Sequence, residues 1–444
     1  MSWQVVIAGG GFGGFYAARA LERMLPAQSA HVTLVNEANY MLYTPLLPGA
    51  AGATLDPRHV VVPLRSQLSR TDLTIGRVGG ADPARSVLKV TRIDGHSIEL
   101  PYDHLIVALG SVSRTLPIAG LAEHAIGFKS LSDATALRNQ VLNCLDIAES
   151  QEDRQTREAY LGFVFVGAGY AGVEGLAELQ DFAAQVIQYY PRCRAQGMRW
   201  VLAEAKERIM TEVPANLSRF AEHELRARGI EVRTGTTLRE VTKSAATLSD
   251  GESVPARTVV WTAGVKPSPA VARLGLPLDP DGRVRVGPTM EVDPAALPAP
   301  LAASDGGRPG ASHVWAIGDC AAVPDAHRAG QSCPPTAQHA IRQGRLVAHN
   351  VLATISGERP RAFRYRTKGV VAELGRTEAV AITLGIRWRG LPAWLIARTY
   401  HLMLMPGLGR RLRLLADWNV ALLFGRDASA PGRIGSPTPL KAED

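Results

Sequence analysis

Two glycine clusters carry the first chemistry that the chain suggests. Gly9-Gly10-Gly11-Phe12-Gly13-Gly14 follows the apolar run Val5-Val6-Ile7-Ala8 and opens a helical stretch, Gly13–Leu25. Gly167-Ala168-Gly169-Tyr170-Ala171-Gly172 follows Phe163–Val166 and opens a second helical stretch, Gly172–Gln188. Between a strand and a helix, the G-x-G-x-x-G pattern serves a pyrophosphate. The first glycine turns the chain, the second lets the backbone approach the anion, and the third lets helix and strand pack. The helix start offers free N–H groups and the positive end of its dipole. Two such clusters predict two dinucleotides, one resident and one exchanging. Gly9, Gly11, Phe12, Gly13 and Gly14 form the first site, and Gly167, Gly169, Tyr170 and Gly172 the second.

The strand after each cluster should end in an acid for the ribose hydroxyls. At the first site Asn36 stands there with Glu37 beside it, and either side chain can hold a hydroxyl. At the second, Val201-Leu202-Ala203 ends in Glu204, and an insertion around Tyr189–Gly197 lengthens the spacing from Gly172. A carboxylate accepts from a 2′-hydroxyl and repels a 2′-phosphate, so NADH is expected over NADPH. Lys206 and Arg208 nearby weaken that preference, and a solvated strand-end acid fits the same position.

The elements that position these loops alternate as α/β. His31–Val35, Leu105–Leu109 and Trp200–Ala203 read as strands, and Asp133–Ser150 as a helix. Val259–Thr262 runs into Gly264 as Leu105–Leu109 runs into Gly110, so a nucleotide-binding unit occurs twice. With 444 residues, 46% hydrophobic and 20% charged, the chain can bury two or three domains, which excludes global disorder. It has no run of eighteen uncharged apolar residues, so no spanning helix is expected. Met1-Ser2-Trp3-Gln4 runs straight into the first strand, so no secretory signal is expected. Cys144, Cys193, Cys320 and Cys333 show no close pairing, which predicts a reducing compartment with no disulfide framework and no metal site. Tyr40–Pro63 is punctuated by proline, Pro294–Gly310 reads as a surface loop, and the tail from Ser429 as disordered.

The net charge of +8 is concentrated near the C-terminus. Between Ile386 and Arg426 lie seven arginines (Arg387, Arg389, Arg398, Arg410, Arg411, Arg413 and Arg426) against one acid, Asp417, while the rest of the chain is nearly neutral. That distribution excludes a nucleic-acid groove along the main body and favours a membrane surface. Tyr365–Leu374 and Ala379–Leu384 read as short strands ahead of two arginine-flanked helices, Leu391–Met405 and Arg410–Phe424, split by Pro406-Gly407. Leu391, Trp394, Leu395, Leu402 and Met405 fall at helical spacing, as do Leu408, Leu412, Leu415 and Leu422. The expectation is an amphipathic pair lying in the interface, its arginines toward headgroups, with Trp388, Trp394 and Trp418 at the boundary. A dimerisation face or core helix fits the same pattern, and these readings can coexist. A chain ending near Gly385 is expected to keep both nucleotide folds.

His313-Val314-Trp315-Ala316-Ile317-Gly318-Asp319 is a strand ending in Gly-Asp. Together with the two glycine clusters it resembles the pyridine nucleotide–disulfide oxidoreductase superfamily. Asn36–Ala50 contains no cysteine, so the redox pair of that superfamily is missing and disulfide reduction is excluded. Within it, the chain more closely resembles the type II, non-proton-pumping NADH:quinone oxidoreductases. The likeness rests on Tyr43-Thr44-Pro45-Leu46-Leu47, Gly169–Glu174, Thr336–Gly344, and Trp394–Arg426 with His401-Leu402 and Asp417-Trp418.

The resemblance implies tightly bound, non-covalent FAD, contacted by the first glycine loop, Asn36 or Glu37, Thr44, Val78, Gly110, Asp319, Ala337 and Gln338. It places NADH at the second loop with Glu204 and Gly264, and Glu174 at the junction of nicotinamide and flavin. Gln338, Gln343 and Lys368 would face the quinone, with Glu174, Gln338 and Lys368 as catalytic groups. From the residues alone, Glu174 also fits a helix-start charge, Gln338 and Gln343 surface amides, and Lys368 a solvated edge charge. The implied fold is two Rossmann-like domains, 1–115 with 281–345 for FAD and 116–280 for NADH. An α+β segment, 346–444, would carry the interface helices. The implied setting is the cytoplasmic side of a bacterial cell membrane, peripherally bound, as a homodimer without nucleic acid. Rival readings are a sulfide:quinone-type enzyme using Cys320 and Cys333, a ferredoxin- or rubredoxin-type reductase, and an NADH-sensing flavoprotein without turnover.

Overall fold

The computed structural model describes residues 2–26, 28–297, 313–367 and 369–430. The chain divides into two compact units. One comprises Met1–Tyr43, Val61–Arg114 and Val265–Lys368; the other comprises Thr44–Val60, Thr115–Gly264 and Gly369–Asp444.

The first unit opens with β1 (Trp3–Ala8), α1 (Phe12–Met24), β2 (Ala30–Asn36), β3 (Asp72–Asp82), β4 (Val87–Arg92), β5 (Ser97–Pro101) and β6 (His104–Val107). The second unit contributes β7 (Ala125–Gly127), α2 (Leu131–Ser150), β8 (Gly162–Val166), α3 (Tyr170–Val186), β9 (Arg199–Ala203), β10 (Ile230–Arg233) and β11 (Thr258–Trp261). The chain returns to the first unit for β12 (His313–Ala316) and α4 (Ala337–Ile355). It ends in the second with β13 (Gly369–Glu373), β14 (Ala379–Thr383), β15 (Ile386–Arg389), α5 (Gly390–Leu404) and α6 (Leu408–Phe424).

The sheet of the first unit runs β12-β6-β1-β2-β3-β4-β5. Its first five strands are parallel and its last two turn back antiparallel. The sheet of the second unit runs β7-β11-β8-β9-β10, all parallel. Val5–Ala8 and Gly162–Val166 are buried throughout, as parallel strands covered on both faces must be. Each is the strand from which a glycine loop departs. The α/β fold read from sequence is therefore present, with its strands and helices close to the expected bounds.

Three bounds differ from the sequence reading. The chain returns to the first unit at Val265, not at 281. Thr44–Val60 falls in the second unit, where Leu47–Ala51 forms a short helix. The stretch from 346 is not separate either. A division at 345 would cut α4, which packs along α1 from Ala337 to Ile355, while everything from Gly369 belongs to the second unit. Most of the expected loop Pro294–Gly310, and the tail beyond Ala430, lie outside the described residues.

Candidate active site

The two glycine loops are built alike. Gly9 has φ +106° and Gly167 φ +101°, the left-handed side that a side chain resists. A Cβ on Gly14 would collide with the Gly9 carbonyl, and one on Gly172 with the Gly167 carbonyl. A Cβ on Gly11 or Gly169 would meet nothing within 4 Å, so at these positions the backbone faces open space. Neither α1 nor α3 has a side-chain cap or an acid in its first turn. By contrast, Ser130 and Asp133 form a capping box on α2, and Thr336 caps α4 by accepting from the His339 N–H. Uncapped starts leave free N–H donors at both glycine loops, and these donors suit a pyrophosphate.

Each loop is tethered to the end of the next strand, a role that sequence reasoning missed. Asn36 Oδ1 accepts from the Gly10 N–H at 2.8 Å, and its Nδ2 donates to the carbonyls of Ala38 (2.8 Å) and Tyr40 (3.2 Å). Glu204 Oε2 accepts from the Ala168 N–H at 2.6 Å and Oε1 from the Lys206 N–H at 3.0 Å. The Asn36 amide is thus engaged with backbone, while Glu37 projects at the strand end with its side chain 69% exposed, 3.4 Å from Arg77. Arg208 is tied to the carbonyls of Val213 (2.7 Å) and Thr211 (3.2 Å), and Lys206 to Thr211 Oγ1 (3.0 Å). Thr262 Oγ1 adds a bond to the Gly167 carbonyl at 2.7 Å, fastening the second loop from the neighbouring strand. Gly110 and Gly264 both have positive φ and would hold a Cβ in open space.

Elsewhere in the first unit, β12 delivers Gly318 and Asp319 into a tight turn, where Asp319 Oδ2 accepts from Ser111 Oγ at 2.6 Å. Both residues line a cavity of about 440 Å³ together with Arg114, Lys266, Cys333 and Pro335. Gln343, buried to 1% exposure, accepts from the Gly318 N–H at 2.7 Å through Oε1. It is a fastening for the Gly-Asp turn rather than a surface amide. Gln338 Oε1 accepts from Tyr365 Oη at 2.6 Å, and Ala337 starts α4 beside it. Gly344 brings α4 against α1: a Cβ there would collide with the Gly13 carbonyl. Phe12 sets its ring edge-on to Tyr43, and Val78 is buried in β3 opposite Val90. Thr44 opens a short 3-10 turn in the second unit. Lys368 lies outside the described residues.

In the second unit, Tyr170 starts α3 with its hydroxyl buried and without a hydrogen-bond partner among the described residues. One turn on, Glu174 Oε1 accepts from the Glu373 N–H at 3.0 Å. Burial pushes the Glu174 carboxyl well above the usual range; the Glu373 N–H bond opposes this, and the charges of Glu373 and Glu178 add to it. Glu174, Glu178 and Asp181 recur at spacings of four and three along a mostly apolar helix. That spacing is a signal in the sequence for a buried, partnered acid face. For Glu178 and Asp181 the partners are arginines. Arg426 reaches Asp181 at 2.5 Å and Glu178 at 3.2 Å; Arg376 reaches Asp181 at 2.5 Å. Arg228 donates to the carbonyls of Ala177 (2.6 Å) and Leu374.

This cluster corrects the expected C-terminal pair. Trp394 and Trp418 are buried, with the Arg398 guanidinium 3.9 Å and 4.9 Å from their ring centres. Met405 is fully buried, and Arg398 and Arg426 point inward to the acids. So neither those tryptophans nor those arginines face headgroups, and the stripe Leu391–Met405 is divided between two faces. The inward face of α5 is Ala393, Trp394, Ala397 and His401. The outward residues are Leu391, Leu395 and Met403, joined on α6 by Leu408, Leu412, Leu415, Val420, Leu422, Leu423 and Phe424. Asp417 docks α6 by accepting from the Asp56 N–H at 3.1 Å and lying 2.6 Å from His59 Nδ1. Among the described residues, no helix is long and apolar enough to cross a membrane.

Cys320 and Cys333 are free, buried thiols, each pushed up to about 11 by burial. That disfavours the thiolate a cysteine-based quinone reductase would need.

The comparisons agree with this geometry. The model of the pyridine nucleotide-disulphide oxidoreductase family matches residues 3–344. The type II NADH:quinone oxidoreductase Ndh of Mycobacterium tuberculosis is 30% identical over 442 residues, spanning 95% of this chain and 89% of that protein. The demethylphylloquinone reductase NdbB of Synechocystis is 29% identical over 433 residues, spanning 94% and 97%. Among solved structures, NDH2 from Plasmodium falciparum in complex with NADH has the same fold. It superposes with a TM-score of 0.87 at 18% identity, over 97% of this chain and 100% of that one. The chain belongs to the pyridine nucleotide-disulphide oxidoreductase family and, within it, to the type II NADH:quinone oxidoreductases, so it is an oxidoreductase.

Proposed function

We propose that the protein oxidises NADH and reduces a membrane quinone by two electrons without pumping protons, using tightly bound, non-covalent FAD. The observation that carries this reading is the pair of tethered, uncapped glycine loops, one in each unit's sheet, with the Gly318-Asp319 turn in the same unit as the first.

Residues of the first unit fit FAD. The Gly9–Gly14 loop and the free N–H groups of α1 suit its pyrophosphate, and Asp319, held by Ser111, suits the ribityl hydroxyls. Glu37 is the better placed of the two ribose candidates, because Asn36 is spent on the loop. Gly110, Val78, Ala337 and Gln338 complete the set, with Thr44 from the segment that follows β2. When bound, FAD supplies a ring that takes a hydride from nicotinamide and hands the electron pair on.

NADH is read at Gly167, Gly169, Tyr170, Gly172 and Gly264, with Glu204 taking the ribose hydroxyls. With Arg208 engaged on backbone carbonyls, no guanidinium there is poised for a 2′-phosphate. Glu174 holds a proton near the nicotinamide, and Gln338 orients the acceptor through its Tyr365 bond. Lys368 is retained as a quinone-side cation, and Gln343 as the residue that fixes the Gly318 turn.

The exposed apolar row on α5 and α6 is read as a peripheral lipid contact, the surface from which a lipid-dissolved quinone is drawn. Homodimerisation and a location on the cytoplasmic side of a bacterial membrane belong to the same reading.

One spectroscopic sequence tests the core of it. The purified protein should be yellow and release FAD on denaturation, bleach on addition of NADH, and regain its colour with quinone. Release of FMN, a colourless protein, or no bleaching with NADH would overturn it.

A further inference from the structure

The reaction needs one proton that NADH does not carry. A hydride brings one hydrogen nucleus and two electrons, whereas a quinol has gained two of each. Each turnover therefore draws one proton from solvent. A group that stores it must lie beside the donor and exist in both protonation states near neutral pH.

Glu373 has that placement. It ends β13, and its own N–H is the donor that holds Glu174 Oε1. Its side chain is only 16% exposed. Its Oε2 lies 3.8 Å from Arg398 Nε, beyond hydrogen-bond reach, and that Nε has no other partner among the described residues. Burial moves the Glu373 carboxyl up to about 7, with Arg398 opposing and Glu178 reinforcing the shift. The charged groups that bear on it are Arg398 from α5 and Glu178 from α3, with Glu174 on its N–H; behind Glu178 stand Asp181 and Arg426, and α5 also carries the buried His401. β14, Ala379–Thr383, offers no titratable side chain. His401 is pushed down to about 4 by burial and stays neutral. The charge of Glu373 raises Glu174, so the two buried carboxyls resist being ionised together and share a proton more readily than they each give one up.

We propose that Glu373 is the proton reservoir of quinone reduction, refilling Glu174 after each turnover. Glu174 gives its proton to the reduced acceptor, and the O–H bond of Glu373 then breaks as one forms on Glu174. A solvent proton afterwards restores Glu373, with no electrons exchanged in either step. Glu373 acts through Glu174 and is a positioning residue in that sense. The inference rests on the reading of Glu174 as the group nearest the reacting rings.

The test uses the full-length, flavin-loaded protein with a short-chain, water-soluble quinone. Turnover and its solvent deuterium isotope effect are followed from acid to alkaline pH for the wild type, Glu373→Gln, Glu373→Asp and Glu174→Gln. In the wild type, kcat should fall as pH rises through neutrality, because the stored proton is lost. Glu373→Gln should lower neutral kcat about tenfold and abolish that limb, with the loss falling on reoxidation by quinone rather than bleaching by NADH. Glu373→Asp should restore the limb. An unchanged profile in Glu373→Gln, alongside a changed one in Glu174→Gln, would overturn the reservoir alone. An unchanged profile in Glu174→Gln would overturn the reading of Glu174 and remove the recipient named here. Should Glu373→Gln lose its flavin, infrared titration of the wild type decides. A protonated-carboxyl C=O band that disappears near neutral pH supports the reservoir, and its absence rejects it.

Discussion

Asn36 and Glu204 do the same task with different chemistry. Each fastens a glycine loop by accepting from its second residue, but the amide is uncharged and fully engaged, while the carboxylate keeps lone pairs for a ribose. Asn36→Ala should release Gly10 and two turn carbonyls, costing about 0.5–1.5 kcal/mol per bond, and should be seen as flavin lost on gel filtration. Glu204→Ala removes a charged bond worth roughly 1.5–3 kcal/mol and should narrow the NADH over NADPH preference in kcat/KM about tenfold. An unchanged ratio would show that Glu204 serves the loop alone. A third residue governs behaviour in acid. His104 is wholly buried in β6, and burial, with His313 adding, lowers it from 6.5 to about 3. An unfolded histidine takes up a proton below about 6.5 that the folded one refuses, so stability is full above that pH and declines as pH falls toward 3. The slope should be up to about 1.4 kcal/mol per pH unit. His104→Phe should flatten it in urea titrations repeated from pH 7 to pH 4.

At the scale of elements, the contact of α1 with α4 and the outward face of α6 make separate demands. Gly344 lets the two helices meet, and Gly344→Val should cost about 1–3 kcal/mol through overpacking, lowering Tm and loosening the flavin together. On α6, replacing Leu412, Leu422 and Leu423 by serine should weaken liposome flotation several-fold while leaving NADH oxidation with ferricyanide intact. High salt should detach the wild type only in part, since apolar insertion is not screened. Equal flotation of the triple variant would place the membrane contact elsewhere. The strands, the glycine loops and the helices they open were legible because their periodicity and turn chemistry are local. The face that each C-terminal helix turns inward was not. Leucine at helical spacing looks the same toward lipid as toward a core, and the inward Trp394 and Trp418 meet Arg398 and, for Trp394, the small residues Ala379 and Ala381 of a strand, contacts that helical periodicity does not encode.

For the whole molecule, the largest departure from the sequence reading is how the C-terminal segment joins the second unit. Arg426 neutralises Glu178 and Asp181 and also donates to the carbonyls of Gly52 and Glu178. A chain ending at Gly385 would leave those buried carboxylates without Arg398 or Arg426, a loss on the order of 3–5 kcal/mol for a broken buried pair. Contrary to the expectation from sequence, such a chain should precipitate or lose NADH binding. Arg426→Met should reproduce the defect, measurable as a lower urea midpoint. The glycine loops and the Gly-Asp turn of the candidate site could be named from their local motifs, but not the residues that support them. Ser111, Thr262, Tyr365 and Glu373 act through partners that only the folded chain brings together. The same joining has a consequence for biosynthesis. The second unit draws on Thr44–Val60, the central segment and the stretch after Gly369, so it cannot close while the ribosome still holds Arg426. Until then the nascent chain displays unpaired acids and, as α6 emerges, a row of uncovered leucines. Such a chain should be prone to aggregate until synthesis is complete, and slow synthesis through the last helix should lower the yield of soluble protein.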